Sequence, residues 1–349
     1  MIAETTRQER IHQARRRNSK KAEIVAPRQG FRLPKPVRRL QRRAPMLAIQ
    51  GLSELSTRLR NLTGREVIDM NRIMEVVQFI YRQRELARRG PNFTVDEFGF
   101  DPEWTEAFFT AFKAIYRDYW RIETTGIEHV PANGRALLVA NHAGVLPWDG
   151  TMIKTAVFVE HPQPRHVRAL VASQFMGMPT LSWFLRRTGQ AVGHPDDTRR
   201  LLERDELVLV FPEGTRGTGK GFKDRYRLRR FGRGGFVATA IRAQAPIIPI
   251  SVVGSEEIYP MIADLRPIAR WLGLPYFPVT PFWPLLGPLG MIPLPSKWRI
   301  QFHPPVEVGH LAPQAAADQH LVMATADRVR DVIQRGIYDN LKLRRGVFL

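Results

Sequence analysis

The sequence predicts an α/β protein with a mainly parallel sheet flanked by helices, preceded by N-terminal helices and a disordered basic tail. Two observations predict this fold. Short apolar segments with the length of buried strands alternate with helical stretches, which is typical of a parallel sheet covered on both faces. The chain has 349 residues of which 44% are hydrophobic, enough for a sizeable core.

Residues 1–45 form the predicted tail. They contain fourteen Lys and Arg against three Glu, and so carry +11 of the chain's formal charge of +20. The tail is rich in Arg and Pro and lacks a sustained apolar period, which favours disorder. Its natural partners are anionic lipid and nucleic acid, and a solvated tail with loose contacts is the alternative. We expect no signal peptide, because no apolar core of roughly 7–15 residues follows the basic start.

Residues 46–120 are predicted to be a helical region with candidate membrane-associating helices. Apolar residues at spacings of three and four predict a helix over residues 64–89. A second helix over 102–120 begins with Asp101 as N-cap and Pro102 at the first position. Its aromatic stripe either packs on the core or contacts a membrane or acyl chain. The sequence contains no run of about 18 apolar residues, so it predicts no conventional transmembrane helix.

The α/β domain is predicted to span residues 121–310, and residues 311–349 to form a C-terminal helix packed on it. Predicted strands are 121–129, 136–140, 167–173, 207–211, 247–253 and 297–303. Predicted helices are 150–159, 178–188, 198–204, 234–242 and 314–342, the last with Leu321, Ala324, Val329, Val332 and Ile333 inward. Residues 275–295 contain too many prolines for a regular helix. They either cover the core or present apolar surface to lipid.

The residues that carry chemistry follow two of these strands. Asn141, His142 and Asp149 come after strand 136–140, and a carboxylate that orients an imidazole allows the histidine to act as a general base. A second loop, Pro-Glu-Gly-Thr-Arg-Gly at 212–217, follows strand 207–211 and suits an anionic or polyhydroxy substrate. Together the two loops predict an acyl-transfer site that uses an activated donor such as a thioester.

Other chemistries find less support in the sequence. The chain has no cysteine, which excludes disulfides, zinc-thiolate sites and thiol nucleophiles. It has neither the Gly-x-Ser-x-Gly turn of serine hydrolases nor a His-Glu-x-x-His metal motif. We therefore expect no metal site and no bound cofactor.

Three blocks resemble the glycerolipid acyltransferase family, whose best-known members are the lysophosphatidic acid acyltransferases. They are Asn141-His142 with Asp149, Phe211 to Arg216, and Ala245 to Ile250. The resemblance covers residues 121–310 and implies an α/β fold. It also implies acyl transfer from coenzyme A or acyl carrier protein to a lipid hydroxyl. Members of the family are usually membrane-bound, often through apolar N-terminal helices.

The resemblance also implies roles for individual residues. His142 is the general base and Asp149 its partner. The third-block residues implied to bind substrate are Glu213, Gly214, Thr215 and Arg216; of these, Glu213 and Arg216 bind or orient the acceptor, and Gly214 lets backbone amides approach it. Pro246 and Pro249 help to shape an acyl or acceptor pocket, and the role of Asn141 stays open.

The chain departs from the family pattern at two places. Six residues separate His142 from Asp149, rather than the four of the commonest pattern, which indicates a divergent branch with a longer loop. The segment 189–195 resembles the second block but lacks its phosphate-binding arginine, and His194 is the nearest candidate. A neutral acceptor such as a mono- or diacylglycerol therefore gains support.

A basic cluster follows the third block. It is either a solvated or lipid-facing surface, or a site for the coenzyme A phosphates or anionic head groups. Its candidate phosphate or lipid-surface residues are Lys223, Arg225, Arg227, Arg230 and Arg233. Gly232 to Gly235 are predicted to open a helix, whose N-terminus can hold phosphate.

The sequence thus predicts an acyltransferase at the cytoplasmic face of a membrane, peripheral or monotopic. Its expected partners are a membrane lipid surface, a lipid acceptor, and acyl-CoA or acyl carrier protein as co-substrate. Nucleic acid is not an expected partner. Two alternatives stay open: a basic nucleic-acid or lipid-surface binding protein with a degenerate catalytic core, and a lipid hydrolase that uses the same His–Asp pair on water.

Overall fold

The computed structural model describes residues 95–272 and 274–348. The predicted tail over 1–45 and the predicted helix over 64–89 lie outside the described residues. A seven-stranded sheet forms the centre of the described part. Its strands are β1 (Glu123–Thr125), β2 (Ala136–Ala140), β3 (Val167–Val171), β4 (Ala191–Val192), β5 (Leu207–Val210), β6 (Ile247–Val253) and β9 (Arg299–Phe302). A small separate ladder joins β7 (Ala263–Asp264) and β8 (Pro278–Val279).

The α-helices are α1 (Pro102–Ala114), α2 (Trp148–Glu160), α3 (Ser173–Met176), α4 (Pro179–Arg187), α5 (Pro195–Glu203), α6 (Thr215–Thr218), α7 (Gly235–Ala243), α8 (Arg266–Trp271) and α9 (Gln319–Leu343). A π-helical turn spans Ile115–Tyr119. Short 3-10 helices span Ile127–His129, Phe222–Asp224, Ser255–Glu257, Gly287–Met291 and Pro313–Ala317.

The strand order β1-β9-β6-β2-β5-β3-β4 confirms the mainly parallel sheet. The five strands from β6 to β4 run in one direction, while β9 is antiparallel to β6 and parallel to β1. In the centre, Val139 of β2 pairs with Val210 of β5. The loops that follow β2 and β5 therefore leave the same edge of the sheet, side by side.

The core lies on both faces of the sheet, because alternate side chains of a strand point to opposite faces. Leu137 and Val139 contribute to the cluster that holds α5, α7 and α9. Leu138 and Ala140 contribute to the cluster on the other face, with Met152 of α2. This double cover makes β2 a fixed support for the residues after it.

Helix α1 begins as predicted and packs on the domain. The Asp101 carboxylate accepts a hydrogen bond from the Trp104 amide at 3.0 Å, as an N-cap does. The Phe109 ring stacks on the Phe158 ring of α2 with centroids 4.3 Å apart. Of the two alternatives for the aromatic stripe of this helix, the structure shows packing on the core.

Two predicted elements differ from the structure. The predicted strand 121–129 is reduced to Glu123–Thr125, because Gly126 takes a left-handed conformation and a 3-10 helix follows it. The predicted closing helix 314–342 begins only at Gln319, with Asp318 as its N-cap, and Ala324 is exposed rather than inward. Within residues 95–272 and 274–348, no helix is long and apolar enough to cross a bilayer.

Candidate active site

His142 and Asp149 form the centre of the site, as the sequence predicts for an oriented imidazole. The His142 Nδ1 atom lies 2.8 Å from Asp149 Oδ2. The carboxylate has no exposed surface, and the imidazole side chain is 13% exposed. The longer loop between the two residues therefore still closes into a His–carboxylate pair.

The Asp149 carboxylate is held by backbone amides as well. Its Oδ2 atom also accepts from the Ala143 amide at 2.9 Å, and its Oδ1 accepts from the Gly150 amide at 2.8 Å. Asp149 lies in the first turn of α2, where the helix dipole favours negative charge. A buried carboxylate in this setting accepts from His142 Nδ1–H, so the lone pair of the neutral imidazole is on Nε2.

The second loop positions His142 from the other side. The Phe211 ring stacks on the imidazole with centroids 4.1 Å apart and an interplanar angle of 20°. The His142 amide donates to Glu213 Oε1 at 3.0 Å. Because Phe211 and Glu213 both follow β5, the adjacency of β2 and β5 is what brings the two loops together.

Glu213 is buried and its two oxygens are shared between three donors. Besides the His142 amide on Oε1, its Oε2 accepts from Lys220 Nζ at 2.9 Å and from the Arg229 amide at 2.7 Å. The side chain has no exposed surface. In this arrangement Glu213 joins the histidine loop to the basic segment after it; an acceptor contact by Glu213 stays a prediction.

Two glycines of the second loop meet different requirements. Gly214 has φ 55° and ψ −147°, a conformation essentially restricted to glycine. Gly217, which the sequence analysis did not single out, packs against the histidine: a Cβ atom there would lie 2.7 Å from His142 O and 2.9 Å from His142 Cβ. The absence of a side chain at Gly217 allows the two loops to touch.

Asn141 and the Thr215–Arg216 pair take distinct places. The Asn141 side chain donates to Val252 O at 2.9 Å and accepts from the Val252 amide at 2.8 Å, and it is buried. It therefore joins the end of β2 to β6. Thr215 and Arg216 open α6 and are exposed, next to the histidine loop.

Other predicted site residues are not brought to the His–Asp pair. His194 caps α5 by accepting from the Asp196 amide at 3.3 Å, and its side chain is exposed. Pro249 lies inside β6, paired with Val139. Pro246 precedes β6 at the edge opposite the site, where its carbonyl accepts from the Leu137 amide. The structure therefore gives no place for Pro246 in a pocket beside His142.

The basic cluster is largely at the surface. Lys223, Arg227, Arg230 and Arg233 are exposed. The half-buried Arg225 lies over the Phe222 ring, 4.2 Å from its centroid. Helix α7 begins at Gly235, the last residue of the predicted glycine run. The placement suits a solvated or ligand-contacting surface equally.

A cavity that the sequence analysis missed adjoins the second loop. We call it the arginine cavity; its volume is about 550 Å³. Its lining includes Thr215, Arg216, Gly219, Arg229, Asp264, Arg266, Arg270 and Tyr276. Arg229 pairs with Asp224 at 2.8 Å and Arg266 with Asp264 at 3.5 Å. Four guanidinium groups against one lining carboxylate leave the lining with a net positive charge, which favours an anionic ligand.

Tyr276 connects this cavity to the loop between His142 and Asp149. Its hydroxyl donates to Val145 O at 2.6 Å, between His142 and Asp149. A Cβ atom on Gly219 would lie 3.1 Å from the Tyr276 ring. One wall of the arginine cavity is therefore part of the loops that hold His142.

A second, much smaller cavity of about 20 Å³ lies beside Ala143 and Gly144. Glu256 lines it, and burial raises the pKa of the Glu256 carboxyl to about 7, against the opposing charges of Lys220 and Arg344. Its Oε1 atom is buried without a hydrogen-bond partner. Within the described part of the chain, no three His, Asp or Glu side chains cluster as metal ligands would.

Comparison with known proteins adds an independent finding. The acyltransferase family model matches residues 121–253. An uncharacterized protein of Mycobacterium tuberculosis is 46% identical over 281 residues, which cover 80% of this chain and 77% of that protein. The 1-acyl-sn-glycerol-3-phosphate acyltransferase alpha of Ovis aries is 31% identical over 147 residues, 40% of this chain and 47% of that protein.

A solved structure is also similar. It is the 1-acyl-sn-glycerophosphate acyltransferase of Thermotoga maritima, with a TM-score of 0.46 and 17% identity. The match covers 78% of this chain and 90% of that one.

Proposed function

The chain belongs to the glycerolipid acyltransferase family, and we propose that it moves a fatty acyl group from an acyl thioester to a glycerolipid-type hydroxyl. The proposed donor is acyl-CoA or acyl carrier protein. The observation that carries the proposal is the 2.8 Å contact between His142 Nδ1 and the buried Asp149 carboxylate. The product of such a reaction belongs to phospholipid or neutral-lipid biosynthesis.

The proposed reaction begins with a proton transfer. The lone pair on His142 Nε2 accepts the proton of the acceptor hydroxyl as its oxygen attacks the thioester carbonyl. Asp149 stabilises the imidazolium that forms, because its carboxylate is already hydrogen-bonded to Nδ1–H. The tetrahedral intermediate then collapses, the C–S bond breaks, and the thiolate takes the proton from His142 Nε2. The products are the acylated lipid and a free thiol, and His142 is neutral again.

The arginine cavity supports an anionic group on at least one substrate. The sequence lacks the second-block arginine, which favoured a neutral acceptor. Arg216, Arg266 and Arg270 supply guanidinium groups from other elements, and guanidinium binds phosphate with two parallel hydrogen bonds. We therefore place a phosphate of the acceptor or of coenzyme A in this cavity as part of the proposal.

The test is turnover of purified wild-type and His142→Ala protein, with exposed His310→Ala as the matched control. Labelled acyl-CoA and acyl carrier protein are each incubated with lysophosphatidic acid, monoacylglycerol and diacylglycerol, and the products are read by mass spectrometry. Loss of a general base is expected to lower turnover by about 10²–10⁴-fold, while His310→Ala keeps wild-type turnover.

Three results would contradict the proposal. Full transfer by His142→Ala would remove the histidine from the mechanism. Release of free fatty acid without acylated lipid would identify a hydrolase. An absence of any acyl product with every donor and acceptor, together with salt-sensitive nucleic-acid binding that requires residues 1–45, would indicate a binding protein.

A further inference from the structure

A single segment carries most of the exposed large hydrophobic side chains. Of eighteen such residues in the described part of the chain, eleven lie between residues 262 and 292. They are Ile262, Leu265, Ile268, Trp271, Leu272, Phe282, Leu285, Leu286, Leu289, Met291 and Ile292. We call this set the apolar rim. Concentrated exposed apolar surface of this kind marks a site of protein or membrane contact.

The apolar rim is fixed to the domain at several points. The Ile262 amide donates to Val279 O at 2.9 Å, which holds the β7–β8 ladder closed. The Tyr259 hydroxyl donates to Met291 O at 2.6 Å. The Tyr119 hydroxyl donates to Pro293 O at 2.5 Å. The backbone is therefore anchored at the base of the segment, while the side chains between these points remain exposed.

Helix α8 is largely exposed. Of its six residues, Arg266 to Trp271, only Ala269 is buried. Trp271 is 83% exposed, as is Leu285 on the other side of the ladder. The exposed side chains of the Pro-rich segment 275–295, such as Leu285, therefore do not cover the core. Covering the core was one of the two alternatives that the sequence left open for this segment.

Charge selects among the partners that such a surface can take. Arg266 and Arg270 of α8 stand among the apolar residues and also line the arginine cavity. Tryptophan and arginine side chains both favour the interface between head groups and acyl chains. Anionic head groups would pair with these arginines, whereas an apolar protein partner would have to desolvate them.

We propose that the apolar rim docks on an anionic phospholipid bilayer, with the mouth of the arginine cavity at the level of the head groups. The inference rests on the proposed function, since a lipid acceptor would pass from the bilayer to the cavity beside His142. It assigns membrane contact to residues 262–292, within the catalytic domain itself, and not only to the chain before residue 121. A headgroup phosphate at this surface lies next to Arg266 and Arg270.

Tryptophan quenching tests the proposal on the full chain. The vesicles contain phosphatidylcholine and phosphatidylglycerol with brominated acyl chains, which quench only tryptophans that reach the acyl region. All seven tryptophans follow residue 94, so binding by the basic tail alone cannot produce quenching. Trp271→Phe is expected to remove the largest share of the quenched emission. Trp183→Phe, at an exposed site on α4, is the matched control and is expected to keep it.

A second pair of variants tests the leucines. Leu285→Ser with Leu289→Ser should lower the partition coefficient for these vesicles by about tenfold per leucine, since each loses the transfer of a whole side chain. Leu343→Ser with Phe348→Ser removes two exposed apolar side chains elsewhere and should leave it unchanged. Circular dichroism and the thermal midpoint check that each protein is folded.

Several outcomes would overturn the docking surface. One is vesicle binding by the wild type with no quenching that depends on Trp271. Another is protection of Trp271 from acrylamide in lipid-free protein, which would mean that the chain covers the rim itself. A third is a change from dimer to monomer in the leucine variant with vesicle binding unaltered, which would assign the rim to a second copy.

The docking surface and the proposed function can fail separately. Transfer to a short-chain, water-soluble acceptor reports on the wild-type site without a bilayer. Transfer there without Trp271 quenching contradicts the docking surface alone. Quenching without transfer to any acceptor contradicts the proposed function alone.

Discussion

The His142–Asp149 centre and the apolar rim lie next to each other but follow opposite rules. In the centre, Asp149 and Glu213 have no exposed surface and accept hydrogen bonds on both oxygens. In the rim, large apolar side chains face outward on a backbone that is anchored at its base. The first region fixes the position of an imidazole within the protein. The exposed apolar side chains of the rim stabilise a complex only when a partner outside the described domain covers them.

Among changes to the groups around His142, removal of the Asp149 charge is expected to have the largest effect on transfer. In Asp149→Asn one carboxylate oxygen becomes an NH2 group, which cannot accept a hydrogen bond. Either the His142 and Ala143 donors or the Gly150 amide then loses its acceptor. We expect turnover to fall by about 10² or more with every acceptor, since the imidazolium loses its partner. Turnover at saturating donor and acceptor is the measurement.

The matched control is Asp331→Asn, an exposed carboxylate on α9. Near-wild-type turnover by Asp149→Asn over the whole pH range would remove Asp149 from the mechanism.

Glu213→Gln tests whether that carboxylate positions the histidine or contacts the acceptor. Oε1 and Oε2 accept from the His142 and Arg229 amides, and Oε2 also from Lys220 Nζ. An amide cannot accept from all three, which leaves a buried donor unpaired at about 1–3 kcal/mol. We expect a loss of stability and a fall in kcat of about tenfold, from a displaced imidazole.

The kinetic constants distinguish the two roles. A positioning residue changes kcat for every acceptor and leaves KM for the acceptor nearly constant. A rise in KM for one acceptor class, with kcat and the unfolding midpoint unchanged, would instead identify an acceptor contact.

Arg266 and Arg270 stand among the rim residues and also line the arginine cavity, and their replacement is expected to have a smaller and selective effect. The double change Arg266→Gln and Arg270→Gln removes two of the four guanidinium groups of the arginine cavity. We expect KM for the phosphate-bearing substrate to rise by about tenfold, with kcat nearly unchanged. Steady-state kinetics with lysophosphatidic acid and monoacylglycerol show whether the acceptor or the coenzyme A phosphate is affected.

Two exposed arginines of α9 provide the control, as Arg328→Gln with Arg335→Gln. Equal effects from the two pairs would mean that total charge matters and the cavity does not. A rise in KM for acyl-CoA with both acceptors would place the donor phosphate in the cavity.

The His142–Asp149 centre could be predicted from the sequence and the arginine cavity could not, for a physical reason. His142 and Glu213 each follow an apolar strand, and the ends of neighbouring parallel strands meet at one edge of a sheet. That rule places both loops at the same edge of the sheet, and the adjacency of β2 and β5, which the sequence did not predict, brings them together. The contacts of Glu213 with Lys220 and the Arg229 amide depend on the path of an irregular segment, which has no period to detect.

The arginine cavity depends on a ladder of two-residue strands. β7 and β8 are too short to give a strand pattern, yet their pairing brings Arg266 and Tyr276 to the loops around His142. Pro246 illustrates the opposite case: the family block was recognisable, but the strand direction places that residue at the far edge of the sheet. A motif match locates residues along the chain, and the topology decides which end of the strand they occupy.

Replacement of Glu256 is expected to have the smallest effect on transfer and to change the stability of the protein instead. Burial raises the pKa of this carboxyl from 4.5 to about 7, although Lys220 and Arg344 oppose the shift. Between pH 4.5 and 7 the folded protein keeps a proton that the unfolded chain releases. The Glu256 contribution to stability therefore falls as pH rises through this window and is level above it.

Glu256→Gln is expected to abolish this pH dependence. The free energy of unfolding of the variant minus that of the wild type should increase by about 3 kcal/mol from pH 4.5 to pH 8. Buried Lys154, whose pKa is lowered to about 7, titrates in both proteins and cancels in the difference. Urea unfolding at both pH values is the measurement. A difference independent of pH would mean that Glu256 is already ionised in the folded protein at pH 4.5 to 7. The small cavity beside Ala143 would then be lined by an ionised carboxylate, and Glu256 would be a third buried anion in this region in addition to Asp149 and Glu213.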